Sequence, residues 1–137
     1  MKDATMPESN DADDKYIGRQ IGNYRITDKF DAGSFGRIYR ATHLYLSNRV
    51  VVIKIMHLTY LSSPQERENF LQEARFLELL RHPNILPIFD LGIDEGFPYI
   101  VAEFAPNGSL RDRIHRYAPN RMPLDEALSI LTQVGQA

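Results

Sequence analysis

Three groups of residues in this 137-residue chain could do chemistry together. Lys54 sits inside the apolar run Val50-Val51-Val52-Ile53-Lys54-Ile55-Met56, which reads as a buried strand. An ammonium there is costly unless something pairs with it. Upstream lies a glycine-bearing loop, Phe30-Asp31-Ala32-Gly33-Ser34-Phe35-Gly36-Arg37-Ile38-Tyr39. Glycines let backbone N–H groups approach a phosphate closely and donate to it. Downstream is Glu73, which a helical wheel places between Leu77 and Leu80 with Phe70 nearby. A carboxylate in an apolar stripe calls for a cation, and Lys54, Arg75 and Arg81 are the candidates. Taken alone, Gly33-x-x-Gly36 describes a plain hairpin turn equally well. A dinucleotide-binding turn is disfavoured, because the glycines lead into the strand-like Arg37-Ile38-Tyr39-Arg40, and no acidic residue follows at the required distance.

The elements that would position these groups can be read from spacing and punctuation. Ile21 to Phe30, Arg37 to Leu46 and Val50 to His57 read as three strands, with turn material at Ser47-Asn48. Ser63 as N-cap, Pro64 at the first helical position and Glu66 completing a capping box start a helix that runs to about Leu80. His82-Pro83 ends it. Ile85 to Leu91 and Tyr99 to Phe104 read as two more strands around a turn at Asp94-Glu95-Gly96. Ser109 with Asp112 caps a short helix to about Tyr117, and Leu124 to Val134 is a last amphipathic helix.

Composition bounds the class. The chain has room for one domain or one lobe of a larger one. A net charge of −2 gives no case for a nucleic-acid partner. There are no cysteines, so disulfides and cysteine-held metals are excluded, which suits a reducing cytoplasm. His43, His57, His82 and His115 have no metal-ligand spacing, and no metal site is expected from them. Residues 1–14 carry Asp3, Glu8, Asp11, Asp13 and Asp14 against Lys2, a local charge of −4. They read as a disordered acidic tail, with order beginning near Ile17 to Tyr24.

In this order, the motifs resemble a bacterial-type serine/threonine protein kinase. Asp31-x-Gly33-x-x-Gly36-x-Ile38 resembles that family's G-x-G-x-x-G-x-V, with Asp31 in place of the first glycine. Val51-Val52-Ile53-Lys54 resembles V-A-I-K, with Val52 in place of the alanine against adenine. His82-Pro83-Asn84-Ile85-Leu86 resembles H-P-N-I-V, and Tyr99 to Leu110 resembles the hinge pattern Y-L-V-M-E-Y-x-x-x-G-S-L.

The resemblance implies an α+β fold: a kinase N-lobe with a five-stranded antiparallel sheet and one inserted helix, followed by two helices of an incomplete C-lobe. The implied divisions are an acidic tail at 1–16, the N-lobe at 17–105 and the start of the C-lobe at 106–137. It implies ATP as cofactor. Lys54 would hold the α- and β-phosphates, and Glu73 would orient Lys54. Phe30, Asp31, Ala32, Gly33, Ser34, Phe35, Gly36, Arg37 and Ile38 would cover the nucleotide. Val52 and Ala102 would face adenine, Ala102 from the gatekeeper position beside Leu77 and Ile88. Backbone groups of Glu103 and Ala105 would bond adenine, and Ser109 would lie by the ribose. The family's H-R-D and D-F-G segments, with the magnesium ligands, would lie beyond Ala137. The implied activity is γ-phosphoryl transfer to a protein serine or threonine. The alternative is a truncated or pseudokinase module that binds nucleotide or a partner without catalysis. Unpartnered apolar helix faces would favour self-association.

Overall fold

The computed structural model describes residues 14–33, 36–46, 48–56 and 63–137. The elements run β1 (Gln20–Ile21), β2 (Tyr24–Gly33), β3 (Gly36–His43), β4 (Val50–Met56), α1 (Pro64–Leu79), β5 (Ile88–Asp94), β6 (Phe97–Glu103), α2 (Leu110–Arg116) and α3 (Leu124–Gln136). All strand pairs are antiparallel, and the sheet order is β1-β2-β3-β4-β6-β5. The expected order of elements is present, with six strands rather than five. The extra strand is β1. Ile21 pairs with Tyr24 across the two-residue turn Gly22-Asn23, so the stretch expected as one strand folds back on itself. Gly22 sits at φ +55°, a conformation that glycine adopts without strain.

β5, an edge strand of the sheet, also starts later than expected, at Ile88 rather than Ile85. Pro83 and Pro87 explain the shift. Ile85 N–H closes a turn onto the His82 carbonyl at 3.1 Å, and Pro87 has no N–H to give a ladder. Ser63 and Glu66 form the expected capping box on α1, and Ser109 and Asp112 form one on α2.

Alternation along the strands gives the sheet two unlike faces. On one face, Tyr39, Ala41, Val51, Ile53 and Val101 are all 0% exposed, and Ile21, Tyr24 and Ile26 pack with them. This is the core, and the sheet curls around it. Arg19, just before β1, reaches the β5–β6 turn, meeting Asp94 at 2.8 Å and Glu95 at 3.0 Å. That ion pair links the two edge regions of the sheet. The bond from Arg19 holds the Glu95 carboxyl below its usual range. Gly92 lies so close to Tyr99 that a Cβ there would sit 2.6 Å from the tyrosine hydroxyl.

Order extends further toward the N-terminus than Ile17. The Tyr16 ring packs on Tyr39 at 5.5 Å. The Tyr39 hydroxyl donates to both Asp14 oxygens, at 3.0 and 2.9 Å. Asp14 therefore belongs to the packed structure and not to the expected tail, and its carboxylate satisfies a buried phenol. Residues 1–13 of that tail lie outside the described residues, as do Ser34, Phe35, Ser47 and His57.

Candidate functional site

The second face of the sheet carries the candidate site. Strand register aligns Ile38, Lys54, Ile100 and Leu91 in one row across β3, β4, β6 and β5. The next row is Arg40, Val52, Ala102 and Ile88. Paired residues in antiparallel strands project to the same side, so these eight share a face. Ile38, Arg40, Val52, Lys54, Ile100 and Ala102 are each half-buried, in contrast to the closed core behind them. The structure thus brings together Ile38, Val52, Lys54 and Ala102, four of the residues expected to face a nucleotide. β6 then leads through Glu103 to Ala105, so the expected adenine-bonding backbone continues from the same surface. The Glu103 N–H is bonded to the Pro87 carbonyl at 3.0 Å.

Other site residues have structural roles as well. Gly36 pairs with Gly33 at the base of the loop. A Cβ on Gly36 would meet the Ile55 carbonyl oxygen of the paired strand β4 at 2.5 Å, so the close approach of the two backbones by itself requires glycine here. Arg37 points to the core side, 3.8 Å from Asp14. The Ser109 hydroxyl is engaged in the α2 cap, donating to Asp112 at 2.7 Å and accepting from its N–H at 3.2 Å. Asp31, Ala32 and Gly33 contribute backbone to β2, with Asp31 opposite Ile38.

Lys54 and Glu73 are not brought together. No ion pair or hydrogen bond joins them among the described residues, and Glu73 is exposed. The apolar stripe expected around Glu73 faces outward, with Leu77 at 40% and Leu80 at 54% exposure. α1 buries only Ala74. Its carboxylate is solvated and has no need of a cation.

Arg40 and Phe104, which motif matching did not name as site residues, form a cluster with Phe30, which it did. The Arg40 guanidinium lies 4.9 Å from the Phe104 ring centroid, and Phe104 meets Phe30 edge-on at 5.7 Å. Arg40 Nε is buried without a hydrogen bond, 3.6 Å from Asp28. The strand alternation Ile38-x-Arg40 could have revealed it, because residues two apart share a face.

The sequence profile described as protein tyrosine and serine/threonine kinase matches residues 24–137. The chain belongs to the protein kinase family. It is 34% identical over 122 residues to the serine/threonine-protein kinase PrkC of Bacillus subtilis, covering 88% of this chain and 18% of that protein. It is 32% identical over 111 residues to a probable serine/threonine-protein kinase PknB of Lactococcus lactis, covering 81% of this chain and 17% of that one. The chain therefore spans less than a fifth of the length of these curated relatives. The fold matches the PknI kinase domain of Mycobacterium tuberculosis with a TM-score of 0.73 at 21% identity, over 85% of this chain and 46% of the solved one. The curled antiparallel sheet with one inserted helix is thus a kinase fold, and the related sequences are bacterial serine/threonine kinases.

Proposed function

We propose that this chain supplies the ATP-binding part of a serine/threonine protein kinase. Residues 17–105 form the N-lobe and 106–137 the start of the C-lobe. The observation that carries the reading is the shared half-buried face of Ile38, Val52, Lys54 and Ala102, continuous with the Glu103–Ala105 backbone. When bound, ATP would supply the phosphoryl group. Lys54 would neutralise its phosphates, while Val52, Ala102 and Ile38 would cover adenine. The resemblance puts the family's magnesium ligands in the H-R-D and D-F-G segments, which these 137 residues do not contain, so no residue here is assigned to magnesium. No transfer step is assigned to this chain alone. No helix among the described residues is long and apolar enough to cross a membrane, and a cytoplasmic location accords with the absence of cysteine.

The second reading, a nucleotide-binding or interaction module without catalysis, is favoured by the separation of Lys54 from Glu73 and by Asp31 at a glycine position. Two measurements separate the outcomes. Calorimetric titration should show weak ATP binding that Lys54→Met reduces about tenfold, the scale of one lost charge-assisted contact, with adenosine binding unchanged. Equal loss for both ligands, or no loss, would remove Lys54 from the phosphate site. Radiolabelled ATP with a generic protein substrate should give no transfer above blank, because catalysis in this family is positioning and electrostatics supplied by many groups. Robust transfer that Lys54→Met abolishes would overturn that expectation.

A further inference from the structure

Phe104 stands between Glu103 and Ala105, the two residues whose backbone groups are expected to bond adenine. Its ring is held by two partners. The Arg40 guanidinium lies 4.9 Å from the ring centroid, and Phe30 meets the ring edge-on at 5.7 Å. The three side chains come from three places: Phe30 from β2, Arg40 from β3 and Phe104 from the segment that follows β6. On the opposite side of β6 in the sheet, the Glu103 N–H is bonded to the Pro87 carbonyl, just before β5, at 3.0 Å. The segment after β6 is therefore tied toward β5 by a backbone bond and toward β2 and β3 by one aromatic ring.

Arg40 is a charged group in a mostly apolar row. Register sets it beside Val52, Ala102 and Ile88, on the face that carries Lys54. Its Nε is buried and makes no hydrogen bond. A buried donor left unpaired costs free energy, so another contact must offset it. Asp28, opposite on β2, is 3.6 Å away, but both side chains are partly exposed, and an ion pair of that kind contributes little. The Phe104 ring is the stronger partner, because a guanidinium is planar, weakly hydrated and attracted to an aromatic face. We propose that Arg40 is a positioning residue of the nucleotide site. Its guanidinium holds the Phe104 ring against Phe30, which fixes the Glu103–Ala105 backbone and fastens β2, the strand leading into the glycine loop, to the adenine end of the sheet face. In this role Arg40 acts through Phe104 and leaves the phosphates to Lys54. The ring clasp belongs to the chain without ligand; only its effect on adenine rests on the ATP-binding reading.

Two measurements on the 137-residue chain test it. Without ligand, the nuclear Overhauser contact between the Phe30 and Phe104 rings should be present in the native chain and lost in Arg40→Met, which keeps an apolar stem but no charge. In calorimetric titration, Arg40→Met should weaken adenosine and ATP by the same factor, about fivefold, the scale of one partly desolvated cation–π contact. Phe104→Leu should weaken both to a similar extent, and combining it with Arg40→Met should weaken them no further, because the two side chains act as one unit. Arg75→Met on α1 removes an equal charge and should leave both affinities unchanged. A merely structural Arg40 would lower the melting temperature and leave adenosine affinity as it was. A larger loss for ATP than for adenosine would make Arg40 a phosphate contact instead. Either result would overturn the proposal, as would full additivity of the two substitutions or a ring contact that survives in Arg40→Met. If neither ligand binds the native chain while the ring contact behaves as expected, the nucleotide reading fails, the role of Arg40 at adenine falls with it, and the clasp stands as a link between β2 and the segment after β6.

Discussion

On the core face of the sheet, Tyr39, Val51, Ile53 and Val101 are fully enclosed, while on α1 the side chains of Phe76, Leu79 and Leu80 are 70, 76 and 54% exposed. On α3, Leu124, Leu128, Leu131 and Val134 are exposed in the same way. Both regions are rich in large apolar residues, so composition does not separate them. What separates them is neighbours: strands bond to strands on both sides, whereas each helix touches the rest of the molecule along little of its surface. The sheet holds the fold, and the helices carry surfaces whose packing is incomplete. The helix that carries Glu73 thus lies on the loosely held side of the molecule.

The sharpest way to break this comparison is to truncate one apolar side chain in each region. Ile53→Ala should cost about 3 kcal/mol, the usual range for a fully buried isoleucine that leaves a cavity. Leu79→Ala should stay within about 0.5 kcal/mol, as for an exposed position. Urea unfolding of both variants checks it. Similar losses would mean that α1 is packed far more tightly than its exposure indicates.

A smaller effect tests how far the core extends. Tyr39→Phe removes the hydroxyl that Asp14 accepts from, and should cost about 1–2 kcal/mol by leaving a mostly buried carboxylate short of a partner. Burial is the main reason why the Tyr39 phenol resists ionisation, and its bond to Asp14 adds to this. A folded-state value raised above the unfolded one gives stability that is complete below about pH 10 and is lost as pH rises beyond it. Tyr24 and Tyr99 are raised by burial as well and share in that slope. Stability of the native chain should therefore fall in strong alkali, and Tyr39→Phe should fall less steeply. Parallel slopes in a series of unfolding curves would show that Tyr39 ionises freely in the fold.

Local rules made most of the elements legible in the sequence. Ser63-Pro64-x-Glu66 marked the start of α1, and Ser109 with Asp112 marked α2, because capping is settled within one turn of chain. Val50 to Met56 read as one buried apolar run, and the alternation that puts Val52 and Lys54 on the half-buried face is a finding of the structure. β1 was missed because Gly22-Asn23 is a two-residue turn inside what reads as a continuous strand, although that pair is itself a hairpin signal. Arg19 with Asp94 and Glu95, Asp14 with Tyr39, and Arg40 with Phe104 are contacts between distant segments, and no local pattern encodes them. Glu73 shows the limit from the other direction. Phe70, Leu77 and Leu80 around it on a helical wheel suggest a buried stripe, but spacing does not say whether anything covers it, and here Leu77 and Leu80 are exposed.

The smallest expected effect is the one that bears most on function. The family resemblance requires Lys54 and Glu73 to form a pair, and such a pair, when buried, would couple strongly: removing either partner strands the other charge, at a cost on the order of 3 kcal/mol. In this structure Glu73 is exposed and Lys54 is half-buried with no carboxylate bonded to it among the described residues. A double-mutant cycle of Lys54→Met and Glu73→Gln, followed by urea unfolding of the chain without ligand, should therefore be additive within about 0.5 kcal/mol. Coupling well above that value would mean that α1 swings in and closes the pair in solution, and the contrast between a closed sheet and loosely held helices would fail at its most important point. Additivity without ligand, turning to coupling when saturating ATP is present, would sharpen the contrast, because the nucleotide would then be the agent that recruits α1 to the sheet. The same cycle thus reads both the resting position of the helix and whether the phosphate site is coupled to it.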